Sequence, residues 1–245
     1  MNWSWLLPHG KGIPVLMYHK VWPGINDDLT ITPEKLREQW SYLKQEGYRA
    51  ISLPEYLDIA TGQKPNKGKV LLITFDDGYQ NNLTYAYPLL QELGWKATFF
   101  IIAETLIVEK REIEIEQKMT LQELRSLDPT IIQLAMHGYQ HEDMGKLPLE
   151  DSRQALVNTI RTFDNSGLEW HRVLAYPFGS RPGAHFHMLK AIMKDMGIMA
   201  AFRIGNKVSN VPAGDVYEIK RIDIRGTDTI FDFKVKLSKG KLKPF

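Results

Sequence analysis

Six short apolar runs punctuate the chain, at residues 14–18, 70–75, 97–102, 131–136, 173–178 and 198–203. They are nearly free of charge, and polar residues do not alternate with apolar ones along them. A strand with one wet face alternates; a run that stays apolar suits a strand covered on both faces of a parallel sheet. Between the runs the period changes to that of a helix. In TPEKLREQWSYLKQEG, Thr32 stands at an N-cap, Pro33 in the first turn, Leu36, Trp40 and Leu43 on one face, and Gly47 at the stop. TLQELRSL opens with Thr120 and Glu123 at capping-box spacing, and PLEDSRQALVNTIRTF carries a stripe of Leu149, Leu156, Ile160 and Phe163. Strand and helix patterns alternate, which predicts an α/β fold, either a barrel or a doubly wound sheet.

No repeat or low-complexity segment divides the chain, and GQKPNKGK at 62–69 reads as a surface turn. Residues 1–245 read as a single domain, with 1–12 and 236–245 as peripheral tails. The lysines of the last segment, Lys234, Lys236, Lys239, Lys241 and Lys243, read as a solvated face.

Composition removes several function classes. With 31 basic and 29 acidic side chains the net charge is only +2, so there is no general attraction to nucleic acid. Cysteine is absent, which excludes disulfides and thiolate metal sites. No apolar run approaches the roughly 18 residues of a spanning helix, so no transmembrane segment is expected. The opening MNWSWLLPHGKG lacks a basic stretch followed by an apolar core and does not read as a signal peptide. The expected location is therefore cytoplasmic as the sequence stands, and extracellular or in the cell envelope if a leader was removed. No glycine-rich phosphate loop follows any of the runs, which counts against a nucleotide-binding fold.

Chemistry gathers where the runs end. In parallel α/β folds the functional groups sit at the carboxyl ends of the strands. Here IPVLMYH ends in His19, VLLITFDD in Asp76 and Asp77, IIQLAMHGYQH in His137 with His141 four residues on, and VLAYPFG in Tyr176, Pro177 and Phe178. Adjacent side chains of a strand point to opposite faces, so two neighbouring aspartates enter one site only if the strand breaks, and Gly78 supplies the freedom to break it. Two histidines and one strand-end carboxylate form a set suited to zinc or another divalent ion with open positions for water. The second carboxylate is then placed to accept a proton from that water. Spacing alone leaves open which aspartate plays which part.

These segments resemble the polysaccharide deacetylases, carbohydrate esterase family 4, also called the NodB homology domain. TFDDG (74–78), HGYQH (137–141) and YPFG (176–179) are similar to the family's first three motifs, in order. PVLMYHKV (14–21) and ATFFI (97–101) are similar to segments of its poly-N-acetylglucosamine deacetylase branch, and the likeness runs from about residue 13 to residue 235. The resemblance implies a distorted (β/α) barrel and metal-dependent removal of acetyl groups from an N-acetylglucosamine-containing polysaccharide. It makes Asp76 the general base, Asp77, His137 and His141 the ligands of a divalent metal ion such as zinc, and Tyr176, Pro177 and Phe178 the acetyl pocket. The Phe178 N–H would help hold the oxyanion. The family's late Leu-x-x-His motif, the usual source of the general acid, is absent. In the poly-N-acetylglucosamine branch the histidine of the first segment takes that work, here His19, and His185 and His187 are weaker candidates.

The sequence departs from the family in two other places. Met136 and Gly138 flank His137 where serine or threonine is common, and no arginine immediately precedes YPFG, the nearest being Arg172. Trp22, Tyr139 and Trp170 are candidate platforms for sugar rings. The alternatives are a deacylase of a small amide or of a lipid- or nucleotide-linked sugar, and a carbohydrate-binding relative without turnover. A two-His, one-carboxylate iron oxygenase leaves the second aspartate without a role.

Overall fold

The apolar runs become strands of one sheet. In the computed structural model, which describes residues 12–108 and 112–239, they form β1 (Val15–Tyr18), β2 (Val70–Phe75), β3 (Ala97–Ile101), β4 (Ile132–Met136), β5 (His171–Ala175) and β6 (Ala200–Ile204). A seventh strand, β7 (Ile219–Asp223), was not among the apolar runs, because Lys220, Arg221 and Asp223 interrupt it. Every pairing is parallel and neighbours follow chain order. Ile222↔Leu16 and Asp223↔Met17 join β7 to β1 and close a seven-stranded barrel. The choice between barrel and open sheet is thus settled by this last strand.

Two helices, α1 (Pro33–Gln45) and α2 (Leu53–Ala60), separate β1 from β2. The next four crossings carry α3 (Tyr87–Leu93), α4 (Leu121–Ser126), α5 (Leu149–Ser166) and α6 (Phe186–Asp195), and α7 (Ile230–Lys239) follows β7. The helix starts are where the caps place them. Thr32 Oγ1 accepts the Lys35 N–H at 3.4 Å, and Thr120 with Glu123 completes both halves of a capping box.

The absence of alternation has a plain cause: both faces of every strand are covered. Leu16, Ile73, Phe99, Leu134 and Leu174 point outward against Leu36 and Trp40 of α1 and Leu156 and Phe163 of α5. Val15, Leu72, Phe100, Ala135, Ala175, Phe202 and Ile219 fill the barrel, where they meet Leu53, Tyr56 and Leu57 of α2. That helix plugs the amino end. Toward the carboxyl end the interior turns polar, and Thr74, Asp76, His137 and Arg221 replace the aliphatic layers while staying buried.

Two boundaries depart furthest from the sequence reading. The run at 173–178 leaves the sheet after Ala175, because Pro177 has no N–H to give a ladder, and Pro177–Gly179 forms a 3₁₀ turn. Residues 236–239 are not a peripheral tail but the last turn of α7. Leu237 is buried, and the Lys236 ammonium contacts the Asp228 carboxylate at 2.6 Å and the Asp223 carbonyl at 2.8 Å. Lys234 lies 4.3 Å from the centre of the Tyr42 ring. The expectations for residues 1–11, Lys241 and Lys243 fall outside the described residues. Among those described, no helix is long and apolar enough to cross a membrane.

Candidate metal and catalytic site

β2 delivers Asp76 into the barrel by simple alternation after Leu72 and Thr74. Asp77 would then point out. It does not, because Asp77 and Gly78 both take left-handed backbone, at φ 71° and 72°. Aspartate tolerates this region better than most residues, at a cost of order 1 kcal/mol. The break expected at Gly78 therefore begins one residue earlier, and it swings the second carboxylate back to the mouth beside the first.

β4 delivers His137 in the same way, after Gln133 and Ala135. His141 returns to the site through a loop in which Gly138 sits at φ 78° and His141 at φ 62°. The Oδ1 atom of Asp77 lies 3.3 Å from His137 Nε2 and 3.4 Å from His141 Nε2. One donor atom from each of the three residues falls within a 4.8 Å group. Asp77 Oδ1 is buried without a hydrogen-bond partner, and His137 Nδ1 lies 2.8 Å from the Ala175 carbonyl oxygen. A carbonyl only accepts, so Nδ1 carries a proton, and Nε2 is the nitrogen that faces the centre and offers its lone pair there once deprotonated. Two imidazole nitrogens and a carboxylate oxygen that lacks a hydrogen-bond donor fit a divalent cation. The Ala175 carbonyl supplies the outer hydrogen bond that neither Met136 nor Gly138 can make. Gly138 has its own reason: an added Cβ would lie 3.0 Å from Glu142 Oε2 and 3.1 Å from Pro177 Cγ.

Asp76 stands across from this group, its Oδ2 3.7 Å from His137 Nε2. Its partner is Arg221, which the sequence reading missed. From β7, Arg221 donates to Asp76 Oδ1 at 2.6 Å and to Oδ2 at 2.7 Å, and its Nη1 is 3.4 Å from Thr74 Oγ1. Arg172, the nearest arginine before YPFG, binds Asp164 and the Met196 carbonyl instead. The signal for Arg221 was present in IKRID, where Ile219, Arg221 and Asp223 share one face of a strand.

Burial alone would raise both aspartates, but neighbouring positive charge and hydrogen bonds outweigh it. Arg221, then His137, hold Asp76 below the ordinary carboxylate range, and His137 does the same for Asp77. Burial likewise opposes a proton on His137, yet Asp76 and Asp77 overcome it and hold that imidazole above its usual range. At His19 and His141 burial wins and both are lowered. His19 follows β1 at the mouth, with a buried, unpartnered Nδ1, close enough to feel Asp76, Asp77, Arg221 and His137.

The turn after β5 contributes unequally. Phe178, at φ 57°, is 62% exposed, and its ring centre is 4.5 Å from that of His141. Pro177 packs against Gly138. Tyr176 does not reach the mouth with its side chain: its ring lies in the outer core and its hydroxyl donates to the Tyr217 carbonyl at 3.2 Å. His187 is an exposed residue of α6, and His185 precedes that helix. Neither is among the leading charges on Asp76 or Asp77. Trp170 stacks on Phe163 just before β5, at the amino end of the barrel and so away from the mouth. Trp22 meets Tyr85 edge-on, and Tyr139 packs on the outer core.

This geometry has relatives. Residues 63–201 match the family model described as polysaccharide deacetylase. A putative polysaccharide deacetylase, YxkH of Bacillus subtilis, is 27% identical over 167 residues, covering 68% of this chain and 57% of that protein. A poly-beta-1,6-N-acetyl-D-glucosamine N-deacetylase of Escherichia coli is 33% identical over 94 residues, 38% of this chain and only 14% of that protein. This chain thus spans less than two thirds of the length of either relative. Among solved structures, the deacetylase PplD of Streptococcus pyogenes superposes with a TM-score of 0.76 at 20% identity, covering 92% of this chain and 98% of that one. A family match over more than half the sequence, on a closed barrel shared with PplD, makes this chain a member of the polysaccharide deacetylase family.

Proposed function

We propose that the chain is a metal-dependent hydrolase that removes N-acetyl groups from an N-acetylglucosamine polymer or oligomer. The observation that carries this reading is the convergence of Asp77, His137 and His141 on one point, with the arginine-paired Asp76 on its far side. The Escherichia coli relative, a poly-beta-1,6-N-acetyl-D-glucosamine N-deacetylase, supports the choice of substrate.

Asp77, His137 and His141 would hold the ion, and their nitrogen and oxygen donors suit zinc. Such an ion acts as a Lewis acid and brings the pKa of a water toward about 7. Asp76 then accepts the proton of the water that attacks the acetyl carbon. Its salt bridge keeps it ionised and ready, and fixes its direction. The N–H of Phe178 donates to the carbonyl oxygen as charge develops there. The carbon–nitrogen bond breaks only as the nitrogen gains a proton, because an amide anion is a poor leaving group. His19 delivers that proton. The products are acetate and a sugar amine. Phe178, exposed beside the centre, offers a flat face to a pyranose ring.

Incubation with acetylated glucosamine oligomers, followed by mass spectrometry, tests this reading. Loss of about 42 mass units per event, the mass of an acetyl exchanged for hydrogen, that stops with chelator and returns with zinc is the expected result. Turnover of small amides but not of oligomers would move the substrate to the alternative class. Oligomer binding without turnover would make the chain a carbohydrate-binding relative.

A further inference from the structure

Between β3 and α4, residues 113–120 run along the rim of the barrel as a strap, docked on the turn that carries the two aspartates. Tyr79 and Lys118 form an antiparallel bridge. The Met119 N–H donates to the Gly78 carbonyl at 2.9 Å, and the Gln80 N–H to the Gln117 carbonyl at 2.8 Å. These contacts hold the strap to the aspartate turn. Two more reach from the strap to the segment after His19.

The first runs through Asn81, which is fully buried. Its Oδ1 accepts the Val21 N–H at 3.0 Å, and its Nδ2 donates to the Ile115 carbonyl at 2.9 Å. A backbone N–H only donates and a carbonyl only accepts, so the two partners fix which way the side-chain amide faces. Alanine makes neither bond, and aspartate cannot make the second. The other contact is an ion pair, Lys20 Nζ to Glu116 Oε1 at 2.5 Å, with the lysine side chain 11% exposed. Lys20 and Val21 are the two residues that follow His19. On the other side of His19, the Tyr18 carbonyl accepts the Asp76 N–H at 3.0 Å where β1 and β2 pair. The His19 backbone is thus anchored by the barrel before it and by the strap after it.

We propose that Asn81 and Glu116 are positioning residues for the general acid. By fastening Val21 and Lys20 to the strap, they fix the backbone from which the His19 imidazole reaches the leaving nitrogen. This rests on the reading of His19 as the acid. A proton donor must stand in one place, and a displacement of about 1 Å can cost about a hundredfold in rate. Activation of the attacking water does not pass through this tether. The tether therefore matters most where the leaving group needs a proton.

A comparison of two substrates tests it. Asn81→Ala is expected to lower kcat on an acetylated glucosamine oligomer about 10–100-fold, with KM nearly unchanged. On p-nitrophenyl acetate, whose phenolate leaves without a proton, the loss should be far smaller. Glu116→Ala should show the same selectivity to a smaller extent; as a half-buried surface change, it carries the test if Asn81→Ala does not fold. Zinc affinity, by chelator competition, should match the parent in both, because the strap keeps its bonds to Gly78, Tyr79 and Gln80. In the metal-free protein without substrate, hydrogen exchange at the Val21 amide should be faster in Asn81→Ala. Equal losses on the two substrates, weakened zinc binding or unchanged Val21 exchange overturns the proposal. His19→Ala separates it from the reading beneath it. Selective loss in His19→Ala alone removes the tether and keeps the acid, whereas no selectivity in His19→Ala removes both.

Discussion

Arg221 holds Asp76 with both arms of its guanidinium, at 2.6 and 2.7 Å, and the two side chains are 0% and 2% exposed. A charge pair this deep is costly to break from one side only. Arg221→Met leaves a buried, unpaired carboxylate and is expected to lower stability by about 3–5 kcal/mol. Arg221→Met/Asp76→Asn removes the stranded charge and should recover a large part of that loss, as read by urea unfolding. The single variant should also shift the acid limb of the pH–rate profile. Without the arginine, burial raises the Asp76 pKa, so the base is ionised only at higher pH. A single variant as stable as the parent would show that the pair contributes nothing.

That pair marks the limit of what the sequence disclosed. Strands covered on both faces leave unbroken apolar runs, so β2, β3 and β4 were recognisable almost to the residue. β7 hid because its interior face carries polar side chains, Arg221 and Asp223, in place of aliphatic ones. The same polarity that makes a strand functional erases its signature. His137 and His141 were visible as a spacing, but the carbonyl that orients His137 belongs to Ala175 on another strand, and backbone acceptors leave no mark in a sequence. Tyr176 failed as a site side chain because strand alternation sends it outward, after Leu174, into the outer core.

Gly138 is expected to be irreplaceable for a reason that Gly94 does not share. Both are left-handed, at φ 78° and 64°, so alanine costs each about 1–2 kcal/mol. Around Gly94 nothing lies within 4 Å of an added Cβ, whereas at Gly138 it meets Glu142 and Pro177. Gly94→Ala should therefore lose stability alone. Gly138→Ala should lose zinc affinity too, because the loop must shift to clear Pro177 and takes His141 with it. Equal zinc affinities in the two variants, measured by chelator competition, would detach the loop from the site.

Metal uptake should consume base. His137 is held above the usual imidazole range and His141 below it, so as the pH rises His141 opens its nitrogen first while His137 still carries a proton on Nε2. A raised pKa means the proton stays on to higher pH and competes with the ion. Zinc affinity should then climb about tenfold per pH unit up to the His137 pKa and flatten above it. Calorimetric titration in buffers of different ionisation heat should show proton release on zinc binding that falls away as the pH rises through the His137 pKa. A pH-independent affinity between pH 5.5 and 8 would mean that His137 is already neutral in the metal-free protein.

The division of labour between Asp76 and His19 can be read from the leaving group. A base that activates water is needed whatever leaves, but an acid is needed only when the departing atom cannot carry its charge. An amide nitrogen cannot; a nitrophenolate can. His19→Ala is therefore expected to lose about 10²–10⁴-fold in kcat/KM on an acetylated glucosamine oligomer, and far less on p-nitrophenyl acetate. Asp76→Asn should lose activity on both while still binding zinc, because the proposed ligand atoms belong to Asp77, His137 and His141. His137→Ala should lose the zinc and, with it, both activities. If His19→Ala falls equally on the two substrates, His19 shapes the mouth rather than donating the proton, and the acid must be sought elsewhere on the rim.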